Sequence, residues 1–204
     1  MTKQTETLKQ CIKDFCKEYI KNPYLCYTEH GIHALFFTRL FNTLSPDQRY
    51  FPWKNFQMCT IQKEYPTAAD LDKSRRQHWD IALIKNPPES KDENSFDYFK
   101  LAGVVEFGLN EAIEHLKDDI DRLCHHEANV EHPFIVHLYR LSQSVSKLSN
   151  RDWVNESKRI VSIDDVCKIS KTKMVDIYYC MYDGSGETTK GVCHIKSGNA
   201  IPIE

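Results

Sequence analysis

Long apolar runs are missing from this 204-residue sequence. No window approaches the roughly 18 uncharged apolar residues of a transmembrane helix, so the sequence predicts no membrane span. The first ten residues, MTKQTETLKQ, are polar and do not contain the apolar core of a secretory signal. We therefore expect an intracellular, cytoplasmic protein.

Several motifs that would define a function directly are absent as well. The chain has 8 cysteines, but no two are spaced as C-x-x-C, which argues against a zinc ribbon. Neither Gly-x-Ser-x-Gly nor a phosphate loop of the form G-x-x-x-x-G-K-[ST] occurs. Hydrolases and nucleotide switches that depend on those motifs therefore find no support.

A general excess of basic residues is also lacking. The formal net charge is -2 and the pI is about 6.5, so the composition gives no global signature of nucleic-acid binding. A local basic loop can still contact phosphates, and the candidates are Lys73, Arg75 and Arg76. A solvated loop is the alternative interpretation of these charges.

What the sequence does have is enough apolar material for a core, with 41% hydrophobic and 11% aromatic residues. Hydrophobic periodicity predicts helices over residues 3–20, 28–42, 110–125 and 162–170, and strands over 58–65, 78–85, 101–107, 134–141, 174–182 and 190–196. Thr28 and Asn110 are the predicted caps of the second and third helices. The order of elements predicts an α/β fold with a central mixed β-sheet flanked by helices.

We expect one domain over residues 1–204. Within it, 1–22 forms an N-terminal helix and 28–141 forms the core. Residues 150–204 form a C-terminal extension made of a small helix and a β-hairpin. The acidic stretch 86–97 is expected to be a surface insertion.

Three successive predicted strands each carry one acidic residue among apolar or alternating neighbours. These residues are Glu64, Asp80 and Glu106. If the strands are neighbours, the acids can share one face and one end of the sheet, where they repel one another unless protons or cations neutralise them. Mg²⁺ is a suitable cation because it takes one or two carboxylates and keeps several waters. Alternatively, each acid pairs separately with an arginine, a lysine or water.

The segments TEHGIHALFFTRL, IQKEYP, RRQHWDIALI, LAGVVEFGLN, HLKDDIDRL and FIVHLYRL occur in this order. Together they resemble the PD-(D/E)XK nuclease superfamily, which has the restriction-endonuclease-like fold. The resemblance implies a phosphodiester hydrolase that binds Mg²⁺, or Mn²⁺, through Asp80 and Glu106. It also implies Glu29 and Glu64 as supplementary acids. In the nuclease hypothesis the carbonyl of Phe107 is a further candidate ligand.

The sequence departs from the family at one position. The third strand of the family usually reads Glu-x-Lys, and its lysine orients the attacking water and offsets transition-state charge. Here Gly108 stands in place of that lysine. Lys117 on the following helix is the predicted substitute, because it lies about 40° from Ile113 around the helix axis. Alternatively, the stem of Lys117 covers apolar surface and its ammonium group reaches water.

Three hypotheses of function follow. The first is a metal-dependent nuclease acting on DNA or RNA, and the second is an inactive nuclease-like domain that binds nucleic acid, a protein partner or a second copy of itself. The third is an unrelated α/β domain with salt-bridged acids. His30 and His33, three residues apart near Cys26, are a weaker candidate for a transition-metal site, because no second pair with suitable spacing follows.

Overall fold

The structure, a computed structural model, describes residues 2–67, 77–90, 99–140, 161–182 and 191–203. Its elements in chain order are α1 (Lys3–Lys21), α2 (Glu29–Thr43), α3 (Pro46–Arg49), β1 (Tyr50–Trp53), β2 (Phe56–Cys59), β3 (Ile61–Pro66), β4 (His78–Ile84), β5 (Leu101–Leu109), α4 (Ile113–Leu123), β6 (Pro133–Arg140), α5 (Ile163–Ser170), β7 (Asp176–Tyr182), β8 (Val192–Lys196) and β9 (Asn199–Ile203).

Seven strands form one mixed sheet in the order β3-β4-β5-β6-β7-β8-β9. The first three form an antiparallel meander, and β5, β6 and β7 run parallel to one another. The last two strands continue the sheet in antiparallel pairing. The predicted α/β fold with a central mixed sheet is therefore confirmed, and α4 is the crossover between the parallel strands β5 and β6.

Helices cover both faces of the sheet. α1 and α2 pack on one face, and α4, α5 and the β1–β2 hairpin pack on the other. This double cover explains why β5 is buried over eight successive positions and why β6 reads as an almost continuous apolar run. Among the described helices, none is both long and apolar enough to cross a membrane.

The predicted strand over 58–65 is wrong as a single element. The chain changes sheets at Thr60, whose N–H donates to the carbonyl of Arg49 while its own carbonyl accepts from the N–H of Ile84. Residues before this point form β2, which pairs with the unpredicted strand β1. Residues after it form β3. The strand-like alternation of residues 58–65 continues through Thr60, so the sequence pattern did not reveal that the chain leaves one sheet and enters another there.

The predicted C-terminal helix is present as α5, and the predicted antiparallel strand pair is present as β7 and β8. This strand pair extends the central sheet, because β7 pairs directly with β6. A further strand, β9, was not predicted. The loop expected at 183–186 and most of the insertion expected at 86–97 lie outside the described residues.

The predicted caps have different outcomes. The side chain of Thr28 caps α2 by accepting from the N–H of Gly31, as predicted. Asn110 does not cap α4, whose N-cap is Ala112. Asn110 instead has a φ of 58° and accepts a hydrogen bond from the N–H of Arg140, so it ends β5 rather than beginning the helix.

Candidate functional site

Three acidic residues lie side by side where β3, β4 and β5 adjoin. β4 pairs antiparallel with both neighbours, and Ile81 stands opposite Lys63 on one side and Val105 on the other. The adjacent positions of the three strands are occupied by Glu64, Asp80 and Glu106. The strands are neighbours in the sheet, which was the condition on which the sequence argument depended.

The side chain of Asp80 continues the sheet where the regular pairing of β4 and β5 stops. Its Oδ2 accepts a hydrogen bond of 2.8 Å from the N–H of Phe107. The N–H and the carbonyl of a strand residue point toward the same edge of the strand. The carbonyl of Phe107 is therefore directed toward the side on which Asp80 lies, while its ring packs in the core beneath α1 and α2.

Asp80 and Glu106 occupy adjacent positions of β4 and β5, with side chains 20% and 3% exposed, and each affects the pKa of the other. Burial raises the pKa of Asp80 to about 6, although the N–H of Phe107 acts to lower it. Burial, followed by the charge of Asp80, raises the pKa of Glu106 well above its ordinary value, against the opposing effect of Arg122. Two such carboxyl groups retain a proton unless a cation neutralises them.

An ion-pair network on α4 holds one oxygen of Glu106. Arg122 lies 3.2 Å from Glu106 Oε2 and 2.6 Å from Asp119 Oδ1. His115 in turn lies 3.1 Å from Asp119 Oδ2, and this hydrogen bond raises the pKa of His115 to about 9. The second oxygen, Glu106 Oε1, is buried and has no hydrogen-bond partner among the described residues. The network therefore orients Glu106 and leaves one lone-pair-bearing atom available for a ligand.

Glu29 approaches the same region from the opposite face. It is the first residue of α2, and its Oε2 accepts a hydrogen bond of 3.0 Å from the N–H of Leu109. Burial raises the pKa of Glu29, while the N–H of Leu109 and the charge of His33 lower it and Asp80 raises it further. The predicted supplementary acid thus lies within electrostatic range of Asp80.

His33 follows one helical turn later and is the largest addition to the predicted set. Its side chain is only 2% exposed, its Nε2 lies 3.6 Å from Asp80 Oδ2, and its ring centroid is 5.2 Å from that of Phe107. Neither ring nitrogen makes a hydrogen bond to a described residue. Burial lowers the pKa of His33 to about 4 despite the opposing charge of Glu29, so the imidazole is neutral at neutral pH.

Glu64 lies on the solvent side of the cluster. Its side chain is 48% exposed and its carboxylate lies 3.2 Å from the ammonium group of Lys63. Its backbone has a φ of 55°, in the left-handed region that non-glycine residues seldom adopt. Together with His30 and His33 it brings three donor atoms within 4.8 Å of one another, and no other such group of His, Cys, Asp or Glu occurs in the described ranges.

The structure does not bring Lys117 to the acids. Lys117 is exposed and lies near the start of α5. Its charge helps to lower the pKa of Asp165 there, although the hydrogen bonds of Ser162 and Lys168 contribute more. The centre of the buried stripe is at Leu116, not at the half-buried Ile113 that served as the sequence reference. Measured from Leu116, Lys117 lies roughly 100° to one side, whereas Asp119 and Arg122 lie roughly 60° and 120° to the other.

Gly108 is packed too tightly to be replaced by the family's lysine. A Cβ atom at this position would lie 2.9 Å from Nδ1 of His137 on the neighbouring strand β6. His137 is fully buried, its Nε2 lies 2.7 Å from the hydroxyl of Tyr139, and burial lowers its pKa to about 4. A neutral imidazole therefore occupies the space beside Gly108.

The predicted phosphate contacts Lys73, Arg75 and Arg76 lie outside the described residues. The residues that sequence reasoning missed at this site are His33, Asp119 and Arg122. The i,i+3 spacing of Asp119 and Arg122 within HLKDDIDRL was a usable signal, because it predicts an ion pair on one side of the helix. His33 had been considered only as a partner of His30.

The fold and the site together define an α/β protein whose central sheet carries two adjacent carboxylates, the buried Glu106 and the partly exposed Asp80. Arg122 contacts Glu106 from one face of the sheet, and His33 approaches Asp80 from the other. Comparisons with protein-family models, with curated proteins and with solved structures find no match for this chain.

Proposed function

We propose that this chain is a metal-dependent nuclease with a restriction-endonuclease-like core, hydrolysing phosphodiester bonds of DNA or RNA. The observation that carries the proposal is the adjacency of the partly exposed Asp80 and the buried Glu106 at the point where regular β4–β5 pairing ends. A hard divalent cation is the natural partner of two repelling carboxylates in such a position.

The order of elements supports the same proposal. Apart from α3 and the β1–β2 hairpin, which lie between them, α2 is followed by the meander β3-β4-β5, by the crossover helix α4, and by β6 parallel to β5. This helix-strand-strand-strand-helix-strand order is the one that the sequence resemblance implies for the nuclease core, and the acids lie on β3, β4 and β5 as that resemblance requires.

The residues present provide a suitable set of oxygen donors. Asp80 and Glu106 offer two carboxylates, one of them with the free buried atom Oε1, and the Phe107 carbonyl is directed to the same side. Mg²⁺ commonly binds one or two carboxylates and keeps several waters, so this set fits Mg²⁺ or Mn²⁺. When bound, the ion would polarise the phosphate and lower the pKa of a water.

The protein side chains have separate tasks in this proposal. Arg122 positions Glu106 through its 3.2 Å contact, and Asp119 and His115 fix Arg122 in turn. Glu29 is the supplementary acid and is held by the N–H of Leu109. Because Lys117 is exposed near Asp165, the proposal assigns no step to it, and Arg122 supplies a positive charge 3.2 Å from Glu106.

Metal binding and cleavage should be tested together. Mg²⁺ and Mn²⁺ are titrated into the metal-free protein by calorimetry, and labelled single- and double-stranded DNA and RNA are then incubated with the metal-loaded protein. We expect Asp80→Asn and Glu106→Gln each to abolish binding and to slow cleavage by about 100-fold or more. Asp14→Asn and Glu114→Gln, which change exposed acids on α1 and α4, are the matched controls. Metal binding that both site substitutions leave intact would contradict the proposal.

The packing of Gly108 against His137 favours a second candidate, an inactive nuclease-like domain that binds nucleic acid or a protein partner. Without a lysine near the reacting phosphate, binding can persist after cleavage is lost. This alternative predicts salt-sensitive nucleic-acid binding that is independent of Mg²⁺, together with intact substrate after prolonged incubation. Metal-dependent product formation lost in Asp80→Asn would exclude it.

A further inference from the structure

A second cluster of metal-ligating side chains lies beside the acid pair and has a different chemistry. His30 and His33 are three residues apart on α2, so they project from the same side of the helix, and Glu64 faces them from β3. One donor atom from each of the three side chains lies within 4.8 Å of the other two. We propose that His30, His33 and Glu64 form a binding site for a transition-metal ion such as Zn²⁺ or Co²⁺.

The state of His33 is the second observation that points to a ligand. The residue is 1% exposed, yet neither imidazole nitrogen hydrogen bonds to a described residue. Buried imidazole nitrogens normally have a donor or acceptor partner. A metal ion coordinated by one nitrogen of His33 would provide the partner that the surrounding side chains do not.

The donor set decides the class of metal. Two imidazoles and one carboxylate are the protein ligands of zinc sites that keep an open position for water. Imidazole suits zinc, copper, iron and nickel, whereas Mg²⁺ is bound through oxygen. This site is therefore chemically distinct from the all-oxygen set at Asp80 and Glu106, although Nε2 of His33 lies only 3.6 Å from Asp80 Oδ2.

Little movement separates the present arrangement from a coordinated one. In a tetrahedral site with bonds of about 2.1 Å, the ligand atoms lie about 3.4 Å apart. His30 and Glu64 are both exposed and can rotate toward the buried His33, which is fixed by its packing against Phe107. The ammonium group of Lys63, 3.2 Å from Glu64, is the cation that the metal would displace.

Co²⁺ is the probe for the test, because its visible absorption reports ligand type and geometry. The full chain is freed of metal with a chelator and titrated with Co²⁺ at pH 7.5, and Zn²⁺ is then used to displace the Co²⁺. We expect one Co²⁺ per chain with nitrogen and oxygen ligation. His30→Ala and Glu64→Gln are each expected to weaken binding by at least about 100-fold, since each removes one ligand. Lys63→Gln is expected to tighten it several-fold, because a competing positive charge is removed.

Two kinds of control keep the result unambiguous. His126→Ala removes a histidine that is 80% exposed and outside the site, and it should leave binding unchanged. His30 and Glu64 are surface residues, so their substitution tests the site without depending on the buried His33. Circular dichroism verifies that each variant is folded. Binding unaffected by His30→Ala and Glu64→Gln, or the intense charge-transfer band of cysteine ligation, would overturn the inference.

This inference goes beyond the proposed nuclease function and can fail separately from it. Asp80→Asn and Glu106→Gln should leave one Co²⁺ bound, whereas they should abolish Mg²⁺ binding. A protein that binds Co²⁺ through His30 and Glu64 but cuts no nucleic acid would support the transition-metal site and contradict the nuclease proposal. Cleavage with Mg²⁺ in a protein that shows no Co²⁺ site would support the nuclease proposal and contradict the transition-metal site.

Discussion

At the scale of single residues, a positive charge beside Glu106 is what allows a carboxylate to remain buried in this sheet. Glu106 is 3% exposed, and an unpaired charge so far from water costs several kcal/mol. Arg122 supplies the pairing and also lies with its guanidinium carbon 5.4 Å from the ring centroid of Trp79. The arginine is therefore fixed by packing as well as by charge.

Replacing Arg122 tests this assignment directly. We expect Arg122→Met to lower the free energy of unfolding by roughly 3 kcal/mol, because it leaves Glu106 and Asp119 buried without their cation. Lys117→Met, on the same helix but exposed, should change it by less than about 0.5 kcal/mol. Urea denaturation of both variants at neutral pH measures the difference. Equal effects would show that Arg122 is not the cation on which the acids depend.

The same residues show what could be predicted at the site. The acids Asp80 and Glu106 were recognisable because a carboxylate inside an apolar strand is conspicuous, and strand order then placed them together. The i,i+3 spacing of Arg122 from Asp119 was a signal for their ion pair, but a helical wheel drawn from Ile113 could not show that the buried stripe is centred on Leu116 and that Arg122 faces the acids. His33 required the tertiary packing of α2 on β5, which no sequence spacing reveals.

At the scale of elements, local patterns predicted most helices and strands but not the exchanges between sheets. β4, β5 and β6 are apolar because helices cover both faces, and the sequence showed this. The β1–β2 hairpin and β9 were missed because short strands with exposed side chains carry little periodicity. The end of β2 is set by Thr60, whose backbone hydrogen bonds to Arg49 and to Ile84. These partners are distant in sequence, so a local pattern cannot predict this boundary.

The pairing of β7 with β8 leads to a prediction about acid stability. Asp176 Oδ1 lies 2.6 Å from His194 Nε2, and Oδ2 lies 3.2 Å from Lys196 Nζ. Burial acts to raise the pKa of Asp176, but these two hydrogen bonds outweigh it and bring the pKa down to about 2. Since an unfolded aspartate titrates near about 3.9, the native contact stabilises the fold above about pH 4 and is lost as the pH falls toward 2.

We therefore expect Asp176→Asn to lower the free energy of unfolding by about 1–2 kcal/mol at pH 7, with the deficit shrinking as the pH approaches 2. Urea titrations at intervals between pH 7 and pH 2.5 measure the convergence with the wild type. Asp14→Asn, on an exposed face of α1, should run parallel to the wild type throughout. A deficit that stays constant with pH would mean that the charge of Asp176 is not what stabilises the strand pair.

At the scale of the whole molecule, the site is a place where the fold gives up stability. The carboxylates of Glu29, Asp80, Glu106 and Asp119 affect one another's titration at this site, and Arg122 contacts Glu106 and Asp119. The rest of the sheet, with continuous apolar cover on both faces, compensates for this cost. Such local conflict within an otherwise consistent fold is expected where residues are retained for binding.

Substitution of Asp80 is therefore expected to have opposite effects on stability with and without metal. The pKa of Asp80 is about 6 in the folded protein, whereas the pKa of an unfolded aspartate is about 3.9. The fold therefore loses stability as the pH rises from about 4 to above 6, and at pH 7 the charge of Asp80 destabilises the metal-free protein. Asp80→Asn keeps an oxygen that can accept from the Phe107 N–H and removes the charge. We expect it to raise the free energy of unfolding by about 2 kcal/mol in a chelator.

With Mg²⁺ in excess, the ranking should reverse, because a ligand that binds only the folded state stabilises it and the variant has lost that ligand. Urea denaturation at pH 7, in EDTA and then in millimolar Mg²⁺, compares the two proteins under matched conditions. Asp14→Asn should follow the wild type in both. If Asp80→Asn is the less stable protein in EDTA, the acid is supporting the fold by its ordinary contacts, and the argument for a site that a cation must neutralise fails at its central residue.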